Sequence, residues 1–357
     1  LTGAFGNPSS HHGLGDEAAR ALASARAEVA AVVGCRPGDV VFTSGGTEAD
    51  NLAVKGLALA NPRGRHVVVS PVEHEAVLAA ADALRRLHGF EVDEVAVDAT
   101  GMVTAEALGR VIRPDTTLVS VQLANNEVGT VNPVAELAEV AHGAGALMHT
   151  DAVQAAGWLP LSLDALGADA MSLAGHKVGA PKGTGVLVVR GRLPLEPVLH
   201  GGGQERGRRS GTENVAGAVA FATALRLADA ERADAAPRVA ALTQRFRELV
   251  AAAVPGAVAT GNPSHRLPGT VSYVFPGTAG EAVLLELERR DVVVSSGSAC
   301  AAGSDDPSHV LTAMGFEPDL ARTAVRFSFG AGTGSDDVER AASALADAVS
   351  AVRGIVH

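Results

Sequence analysis

The sequence predicts an α/β protein with two domains, and three observations lead to this prediction. The chain has 357 residues, 47% of them hydrophobic, which is enough apolar material for a large core and more than one domain. Between residues 39 and 190, short apolar runs alternate with helical patterns, as in a mostly parallel sheet with covering helices. From about residue 214 a long alanine-rich helical stretch precedes more short strands, which indicates a smaller α+β domain.

The predicted elements follow one another in a regular order. In the first domain the runs are VVFTS, EADNLAVKGLALA, HVVVS, HEAVLAAADALRRLH, TLVSVQL, PVAELAEVAHGAG, LMHTDA, AMSLAGHK and GVLVVR. The second contains VSYVF, EAVLLELERR, DVVVSS, TAVRFSF and a closing helix from Ser335 to Arg353. The segment HGGGQERGRRSGT between them is rich in Gly and Arg, which favours a loop or linker.

Charge and cysteine content exclude several classes of protein. With 29 basic and 40 acidic residues, the net charge of -11 argues against direct nucleic-acid binding and against a membrane-surface role. The opening LTGAFGNPSS lacks the features of a secretory signal, and no apolar run has membrane-spanning length, so we expect a cytoplasmic protein. Cys35 and Cys300 are the two cysteines, and their spacing predicts neither a disulfide framework nor a metal site.

The chain has few lysines, and one of them is a candidate for covalent catalysis. Lys55, Lys177 and Lys182 are the three lysines of the sequence. Lys177 ends the run MSLAGHK, where a buried strand stops at small residues, and its amine could bond to an aldehyde cofactor. The alternative is a surface lysine at a strand end. Lys182 lies in the turn APKGTG and is the weaker candidate, while Lys55 falls on a helix and is interpreted as solvated.

Groups that suit a pyridoxal ring and its phosphate accompany Lys177. Asp151 closes the strand LMHTDA and could keep a ring nitrogen protonated, although a helix N-cap is the alternative interpretation. Gln154 could donate to the ring hydroxyl. The run TSGGTEADN places Gly46 and Thr47 between a strand and a helix, where backbone N–H groups bind anions. His74 could stack on the ring, and a structural histidine is the alternative.

Ten sequence blocks together resemble the cysteine desulfurases, which are fold type I pyridoxal-phosphate (PLP) enzymes of the class V aminotransferase group. The resemblance to the nitrogenase and iron-sulfur assembly branch runs almost end to end. The blocks are FGNPSS, FTSGGTEADNLA, EHEAV, NNEVG, HTDAVQ, AGHK, PKGTG, HGGGQERGRRSGT, SSGSAC and RFSFG. The resemblance implies a seven-stranded, parallel-rich sheet in a large domain of residues 14–213. It implies that residues 1–13 and 214–357 form the small domain with the cysteine loop.

The resemblance also implies a role for each candidate residue. Lys177 holds PLP covalently, Asp151 pairs with the pyridine nitrogen, and Gln154 contacts the ring oxygen. His74 stacks on the ring, and Asn126 lies beside the cofactor and the substrate carboxylate. The phosphate is expected to contact Gly46, Thr47, His176 and, from the neighbouring subunit of a homodimer, Thr212.

Arg326 and Cys300 define the expected substrate and reaction. Arg326, in RFSFG, is expected to bind the carboxylate of L-cysteine through its planar guanidinium, the alternative being a strand-edge surface arginine. Cys300 lies in SSGSACAAGSDDPSHVL, whose Gly, Ser and Asp residues indicate an exposed loop. Its thiolate would take the substrate's sulfur as a persulfide and release alanine. Cys35 is interpreted as a packing residue.

The resemblance further indicates how the sulfur leaves, and the chain departs from the family pattern twice. The SSGSAC block is the long-loop form, which implies direct transfer to an acceptor protein. The acceptor pathway is left open among iron-sulfur clusters, tRNA, DNA phosphorothioation and thiocofactors. The family's Asp-x-Ala-Ala-Thr-Thr-Pro segment is missing before FGNPSS, so we expect the full protein to extend beyond Leu1. Ala174 replaces the serine of Ser-Gly-His-Lys, which removes one hydroxyl from the phosphate site.

Two other classes of function compete with this interpretation. A selenocysteine lyase or a small-molecule aminotransferase would share the fold and the lysine, but an aminotransferase has no use for a loop cysteine. A non-catalytic scaffold would not need Lys177, Asp151, His74 and Cys300, all of which are present.

Overall fold

The computed structural model of the chain describes residues 5–61, 63–296 and 306–355, which form two compact units. The first unit consists of the described residues within 1–95, 103–123 and 132–232. The second consists of those within 96–102, 124–131 and 233–357. The predicted α/β class is confirmed, and the predicted domain boundaries at residues 13 and 213 stay a prediction.

A seven-stranded sheet forms the first unit, in the spatial order β1-β7-β6-β5-β4-β2-β3. Its strands are β1 (Val40–Thr43), β2 (His66–Val69), β3 (Glu91–Glu94), β4 (Thr116–Ser120), β5 (Leu147–Asp151), β6 (Ala170–Ala174) and β7 (Gly185–Val189). All neighbouring pairs are parallel except the two that involve β7. The parallel-rich sheet predicted from the alternating pattern is therefore present.

Helices follow most of these strands in the chain. α2 (Gly46–Ala60), α3 (Glu75–His88), α4 (Ala105–Val111) and α5 (Val134–Ala144) follow β1 to β4 in turn, and α6 (Val215–Ala253) follows β7 and continues into the second unit. A further helix, α1 (Gly13–Val33), precedes β1. Every residue of β2, β4, β6 and β7 is buried, because covering helices leave neither face of these strands in water. Apolar residues of α2 and α3, among them Leu52, Leu57 and Leu84, pack with strand residues in one core cluster.

The second unit contains a smaller antiparallel sheet with the order β10-β11-β9-β8. Its elements are β8 (Val258–Thr260), β9 (Thr270–Val274), α7 (Gly280–Glu288), β10 (Ser295–Ser296), α8 (His309–Ala313), α9 (Pro318–Ala321), β11 (Val325–Ser328) and α10 (Ser335–Ile355). Phe246 of α6 packs with Phe327 and Phe329, at ring-centroid distances of 4.8 and 5.1 Å. The α+β character expected for the C-terminal part is present.

Strand direction places several loops at one edge of the large sheet. β7 is antiparallel to both β1 and β6, so β1 runs in the same direction as β6 and the other parallel strands. The carboxyl ends of six strands therefore lie at a single edge. In open α/β sheets this edge is where ligands bind.

No helix in the described part of the chain is both long enough and apolar enough to cross a membrane.

Candidate active site

Four predicted site residues lie where strands of the large sheet end. Asp151 is the last residue of β5, and Lys177 follows β6 in a short 3-10 turn from Gly175 to Lys177. His74 is the N-cap of α3, shortly after β2, and Gly46 begins α2 after β1. The common direction of β1, β2, β5 and β6 brings these four segments to the same edge.

Asp151 is a buried carboxyl group with cations near it. It is 7% exposed, and its Oδ1 accepts a hydrogen bond from the N–H of Val153 at 2.8 Å. Burial raises the pKa of Asp151, while that hydrogen bond and the charges of His74 and Lys177 act in the opposite direction. The segment after Asp151 forms turns and no α-helix, so the alternative of a helix N-cap does not apply.

His74 is oriented by the helix that it caps. Its Nδ1 accepts the backbone N–H of Ala76 at 3.0 Å, so the ring of a neutral His74 carries its proton on Nε2. The ring is half-buried. The structural interpretation applies to His74, because its ring caps α3, and its stacking on a cofactor ring stays a prediction.

Lys177 and His176 are exposed at the end of β6, near Lys182 and His74. Partial burial lowers the pKa of His176, and the nearby charges of Lys177, Lys182 and His74 lower it further. A site with this many cationic and neutral donors suits an anion. Asp151, His74, Lys177 and His176 are thus brought together as the sequence predicted.

The start of α2 offers backbone donors for a phosphate. Gly46 and Thr47 occupy its first turn, where N–H groups have no partner within the helix. Gly185 of β7 pairs with Thr43, and a Cβ at Gly185 would lie 2.5 Å from the carbonyl carbon of Gly45. Only glycine permits this approach, which explains why the run PKGTG ends in one.

Two ion pairs anchor the loop 200–212 to the rest of the first unit. Arg26 donates to both carboxylate oxygens of Glu205 at 2.7 and 2.8 Å, and both side chains are buried. Arg209 donates to Glu48 of α2 at 2.7 Å. Burial opposes ionisation of Glu48, but hydrogen bonds from Arg209 and Ser44 outweigh it and lower the pKa of this carboxyl.

This anchoring fixes the position of Thr212. The residue is exposed and lines a cavity of about 210 Å³ together with Thr43, Ser44 and Arg209. The loop predicted from its Gly and Arg content is therefore an ordered segment held by salt bridges. Sequence reasoning missed Arg26 and Glu48 as its anchors, since neither belongs to a motif that indicates pairing.

Asn126 and Arg326 belong to the second unit, where they contact each other. Nη1 of Arg326 donates to the backbone carbonyl of Asn126 at 2.8 Å. Both residues are half-buried, and Arg326 lies on β11 between Ser272 of β9 and Ser295 of β10. The guanidinium of Arg326 is therefore held by the backbone of the NNEVG block. This contact and the partial burial argue against the alternative of a strand-edge surface arginine.

Cys300 lies outside the described residues, between β10 and α8. In the next described part of the chain, which starts at residue 306, Ser308 Oγ caps α8 and donates to Glu127 Oε2 at 2.5 Å. The other cysteine, Cys35, is half-buried. Burial, followed by the charge of Asp39, raises the pKa of Cys35 to about 12, so this thiol stays protonated and is a poor nucleophile.

A buried polar cluster beneath Asp151 was missed by sequence reasoning. It consists of Asp50 on α2, Glu73, His149 on β5, Ser120 on β4 and Ser172 on β6, each at most 1% exposed. His149 belongs to the HTDAVQ block and Asp50 to the FTSGGTEADNLA block, and neither block by itself indicates that the two side chains share a cluster. Such a cluster can be recognised in a sequence by polar residues that interrupt an otherwise apolar strand or helix face.

The residues at this edge fit the PLP that the sequence predicts. A buried Asp151 with a raised pKa gains from a cationic partner, which a protonated ring nitrogen supplies. The first turn of α2 and His176 provide donors for a phosphate, and Lys177 supplies an amine. Within the described residues, no group of three or more His, Cys, Asp or Glu side chains could hold a metal ion.

Comparison with known proteins agrees with this geometry. The family model for aminotransferase class-V matches residues 1–341. The cysteine desulfurase of Cereibacter sphaeroides is 44% identical over 356 residues, covering 99% of this chain and 91% of the relative. An IscS-like cysteine desulfurase of Mycobacterium tuberculosis is 43% identical over 356 residues, covering 98% of this chain and 91% of the relative.

Solved structures share the fold. A NifS-like protein superposes with a TM-score of 0.89 at 36% identity, over 97% of this chain and 92% of that one. DndA from Streptomyces lividans superposes with a TM-score of 0.78 at 36% identity, over 91% of this chain and 92% of that one. A structure of SspA, solved in complex with cysteine, has a TM-score of 0.80 at 34% identity and covers 92% of each chain.

Proposed function

This chain belongs to the aminotransferase class-V family and is a PLP-dependent cysteine desulfurase, and from that premise we propose which of its residues carry the reaction. The observation that supports the assignment best is the meeting of Asp151, His74, Lys177 and His176 at one edge of the large sheet. The proposal assigns cofactor binding to this edge and sulfur transfer to Cys300.

PLP, when bound, supplies an electron sink that stabilises negative charge on the substrate carbon. Asp151 would hold a proton at the ring nitrogen, since a buried carboxylate favours a cation beside it. Gln154, half-buried three residues further on, would donate to the ring oxygen. His74 would stack on the ring, in the orientation that its bond to Ala76 sets.

The opposite end of the cofactor is a dianionic phosphate, for which the edge of the sheet offers several donors. We assign its binding to the N–H groups of Gly46 and Thr47, to the Thr47 hydroxyl and to His176. The helix dipole of α2 favours the same negative charge. Lys177 would attach the cofactor covalently through Nζ, and the same amine would move a proton at the substrate's α-carbon.

Cys300 would accept the sulfur of L-cysteine. Its thiolate Sγ forms a bond to the substrate's sulfur as the substrate's Cβ–S bond breaks, which makes a persulfide on Cys300. The electron pair of the broken bond stays with Cβ, which gains a proton and leaves as part of alanine. No external oxidant is consumed, because the C–S bond of the substrate and the S–H bond of the Cys300 thiol are exchanged for one S–S bond and one C–H bond.

We assign recognition of the substrate's carboxylate to Arg326 and Asn126. A guanidinium binds a carboxylate through two parallel N–H···O bonds, which orients the substrate as well as holding it. The bond from Arg326 to the Asn126 carbonyl supports this role, because it restricts the side-chain rotamer before substrate arrives.

We propose a homodimer in which Thr212 reaches the phosphate of the partner's cofactor. Thr212 is exposed on a loop that the Arg26–Glu205 and Arg209–Glu48 pairs hold in place, as a group that acts on another subunit requires. The persulfide would then pass directly to an acceptor protein. A solution molar mass equal to a single chain in the active enzyme would contradict the dimer.

The proposed function is tested by incubating the purified enzyme with L-cysteine and a thiol reductant. Alanine and sulfide should form in equal amounts, because each persulfide must be reduced before the next turnover. An aminotransferase would instead give a 2-oxo acid without sulfide. Selenocysteine as the better substrate, measured by kcat/KM, would favour a lyase for that amino acid over a desulfurase.

Ala174→Ser should tighten the hold on the cofactor's phosphate. Ala174 ends β6 and is buried, and its Cβ lies 3.3 Å from where a Cβ on Gly46 would stand. A serine hydroxyl there would face the first turn of α2. One added hydrogen bond to a charged group contributes about 1.5–3 kcal/mol, which slows PLP dissociation roughly tenfold to a hundredfold.

This comparison is made on a Lys177→Ala background, so that no covalent bond contributes to retention. Dissociation of PLP is followed by dialysis or by capture in an apoenzyme acceptor. Ala170→Ser, at the far end of β6, is the control for a buried hydroxyl on the same strand. Equal dissociation rates from the Lys177→Ala and the Lys177→Ala/Ala174→Ser proteins would show that another donor already satisfies the phosphate.

A further inference from the structure

Asp50 is a buried carboxyl group that the proposed mechanism does not use. It lies on α2, one turn after the predicted phosphate-binding residues, and is 1% exposed. Among the residues that the structure describes, none makes a hydrogen bond to its Oδ1. Its carboxyl contacts the hydroxyl of Ser172 on β6. A buried carboxyl in such a setting needs either a proton or a cationic partner.

The nearest group that could supply a positive charge is His149, and it is neutral. Its Nε2 lies 3.9 Å from Asp50 Oδ1, too far for a hydrogen bond. Its two ring nitrogens are instead occupied by hydroxyls, Ser120 Oγ at 2.8 Å and Ser172 Oγ at 3.0 Å. Complete burial lowers the pKa of His149 to about 3, so no ion pair forms with Asp50 at neutral pH.

The other charges that face Asp50 also disfavour its ionisation. Asp151 and Glu73 are buried carboxyls close enough to repel it. Burial raises the pKa of Asp151 too, but the neighbouring His74 and Lys177 act to lower it. Burial, and then the charge of Asp151, raises the pKa of Asp50 well above its usual range. When two neighbouring carboxyls cannot both be ionised, the carboxyl that lies near Lys177 is the one that ionises.

We propose that Asp50 is a neutral carboxylic acid in the folded enzyme, and that its neutrality leaves the neighbouring Asp151 as the ionised carboxyl for the cofactor ring. Its proton fits a directed chain in which the Asp50 acid donates to Ser172 Oγ. Ser172 in turn donates to His149 Nε2, and His149 donates from Nδ1 to Ser120. Asp50 is thus a positioning residue, and the inference rests on the role proposed above for Asp151.

The proton on Asp50 has a measurable effect on stability. The folded chain keeps this proton above about pH 4, where an unfolded aspartate releases it, so this group makes the wild type less stable as pH rises. Asp50→Asn keeps the shape and has no proton to release. The melting temperature of D50N should therefore rise relative to wild type by about 2 °C per pH unit from about pH 4 toward neutrality.

Asp169→Asn is the matched control, since Asp169 is equally buried but is paired with an arginine. It accepts the N–H of Met148 at 3.0 Å and lies 3.2 Å from Arg192 Nη2 and 2.8 Å from His142 Nε2. Removing an ionised partner here should lower the melting temperature at neutral pH. A D50N difference that is flat with pH, or that falls as pH rises, would overturn the inference, because an ionised Asp50 gives that result.

A spectroscopic measurement on the PLP-loaded enzyme gives a second readout. D50N should remove one carbonyl stretching band of a protonated carboxylic acid from the infrared difference spectrum at neutral pH. The pH midpoint of the cofactor's visible absorption should move by less than about half a unit, since no charge is removed near Asp151. An unchanged infrared spectrum together with a midpoint shift of about one unit or more would identify Asp50 as an anion and refute the proposal.

These measurements separate this inference from the proposed function. The melting comparison needs no turnover and can be repeated without PLP, so it reports on Asp50 even if sulfide is not produced. If the enzyme releases sulfide and alanine but the D50N measurements show that Asp50 is ionised in the wild type, the inference about Asp50 is wrong and the proposed function still holds.

Discussion

Lys177→Ala should remove the visible absorption of the purified enzyme and nearly abolish alanine formation. Covalent attachment through Lys177 Nζ would extend the conjugation of the cofactor ring, and this bond could not form without the amine. The same amine would move the proton at the substrate's α-carbon, and loss of such a group typically costs about a hundredfold to ten-thousandfold in rate. Absorption spectra before and after borohydride, together with alanine measured by mass spectrometry, report both effects.

Lys182→Ala is the matched control for this experiment. Lys182 is an exposed lysine whose charge acts on His176, as that of Lys177 does, but it lies in the turn before β7. It should retain the absorption and the borohydride-reducible bond. A K177A protein with an unchanged, reducible spectrum, or a K182A protein without one, would show that the wrong lysine has been assigned.

Cys300→Ser should reduce sulfide release to the background rate of free PLP with cysteine, while the cofactor remains bound. Serine has no sulfur atom to form the S–S bond, so the substrate's Cβ–S bond has no acceptor. The visible absorption should be unchanged, because we assign cofactor attachment to Lys177 and Asp151 and not to Cys300. Mass spectrometry of the wild type after incubation with cysteine should find one added sulfur on the peptide that contains Cys300.

Cys35→Ser provides the matched comparison, because Cys35 is the other cysteine of the chain. Its pKa of about 12, set first by burial, leaves almost no thiolate at neutral pH, so the variant should release sulfide at the wild-type rate. If the added sulfur were found on Cys35, or if C300S retained sulfide release, the role assigned to Cys300 would be wrong.

The local sequence pattern was enough to predict most of the large sheet, but it missed one strand in each sheet, β3 and β8. The runs HVVVS and GVLVVR became β2 and β7 because buried strands are almost wholly apolar. β3, with the sequence EVDE, is an edge strand whose side chains are mostly exposed, so acidic residues are tolerated there and the apolar signal is lost. β8 was missed for the same reason, since two of its three residues are exposed.

The sequence by itself determined the fold class and the family, and it predicts the reactive side chains, because motifs such as AGHK, HTDAVQ and SSGSAC are local in the chain. Tertiary structure alone decided which of them meet. Asp151, His74 and Lys177 converge because six strands end at one edge of the sheet. The charge state of a side chain also depends on this packing. Asp50 is buried beside His149 and Ser172, which lie 99 and 122 positions after it in the sequence. Electrostatic interactions depend on the distance between the groups and on the exclusion of water, and the sequence alone gives neither of these.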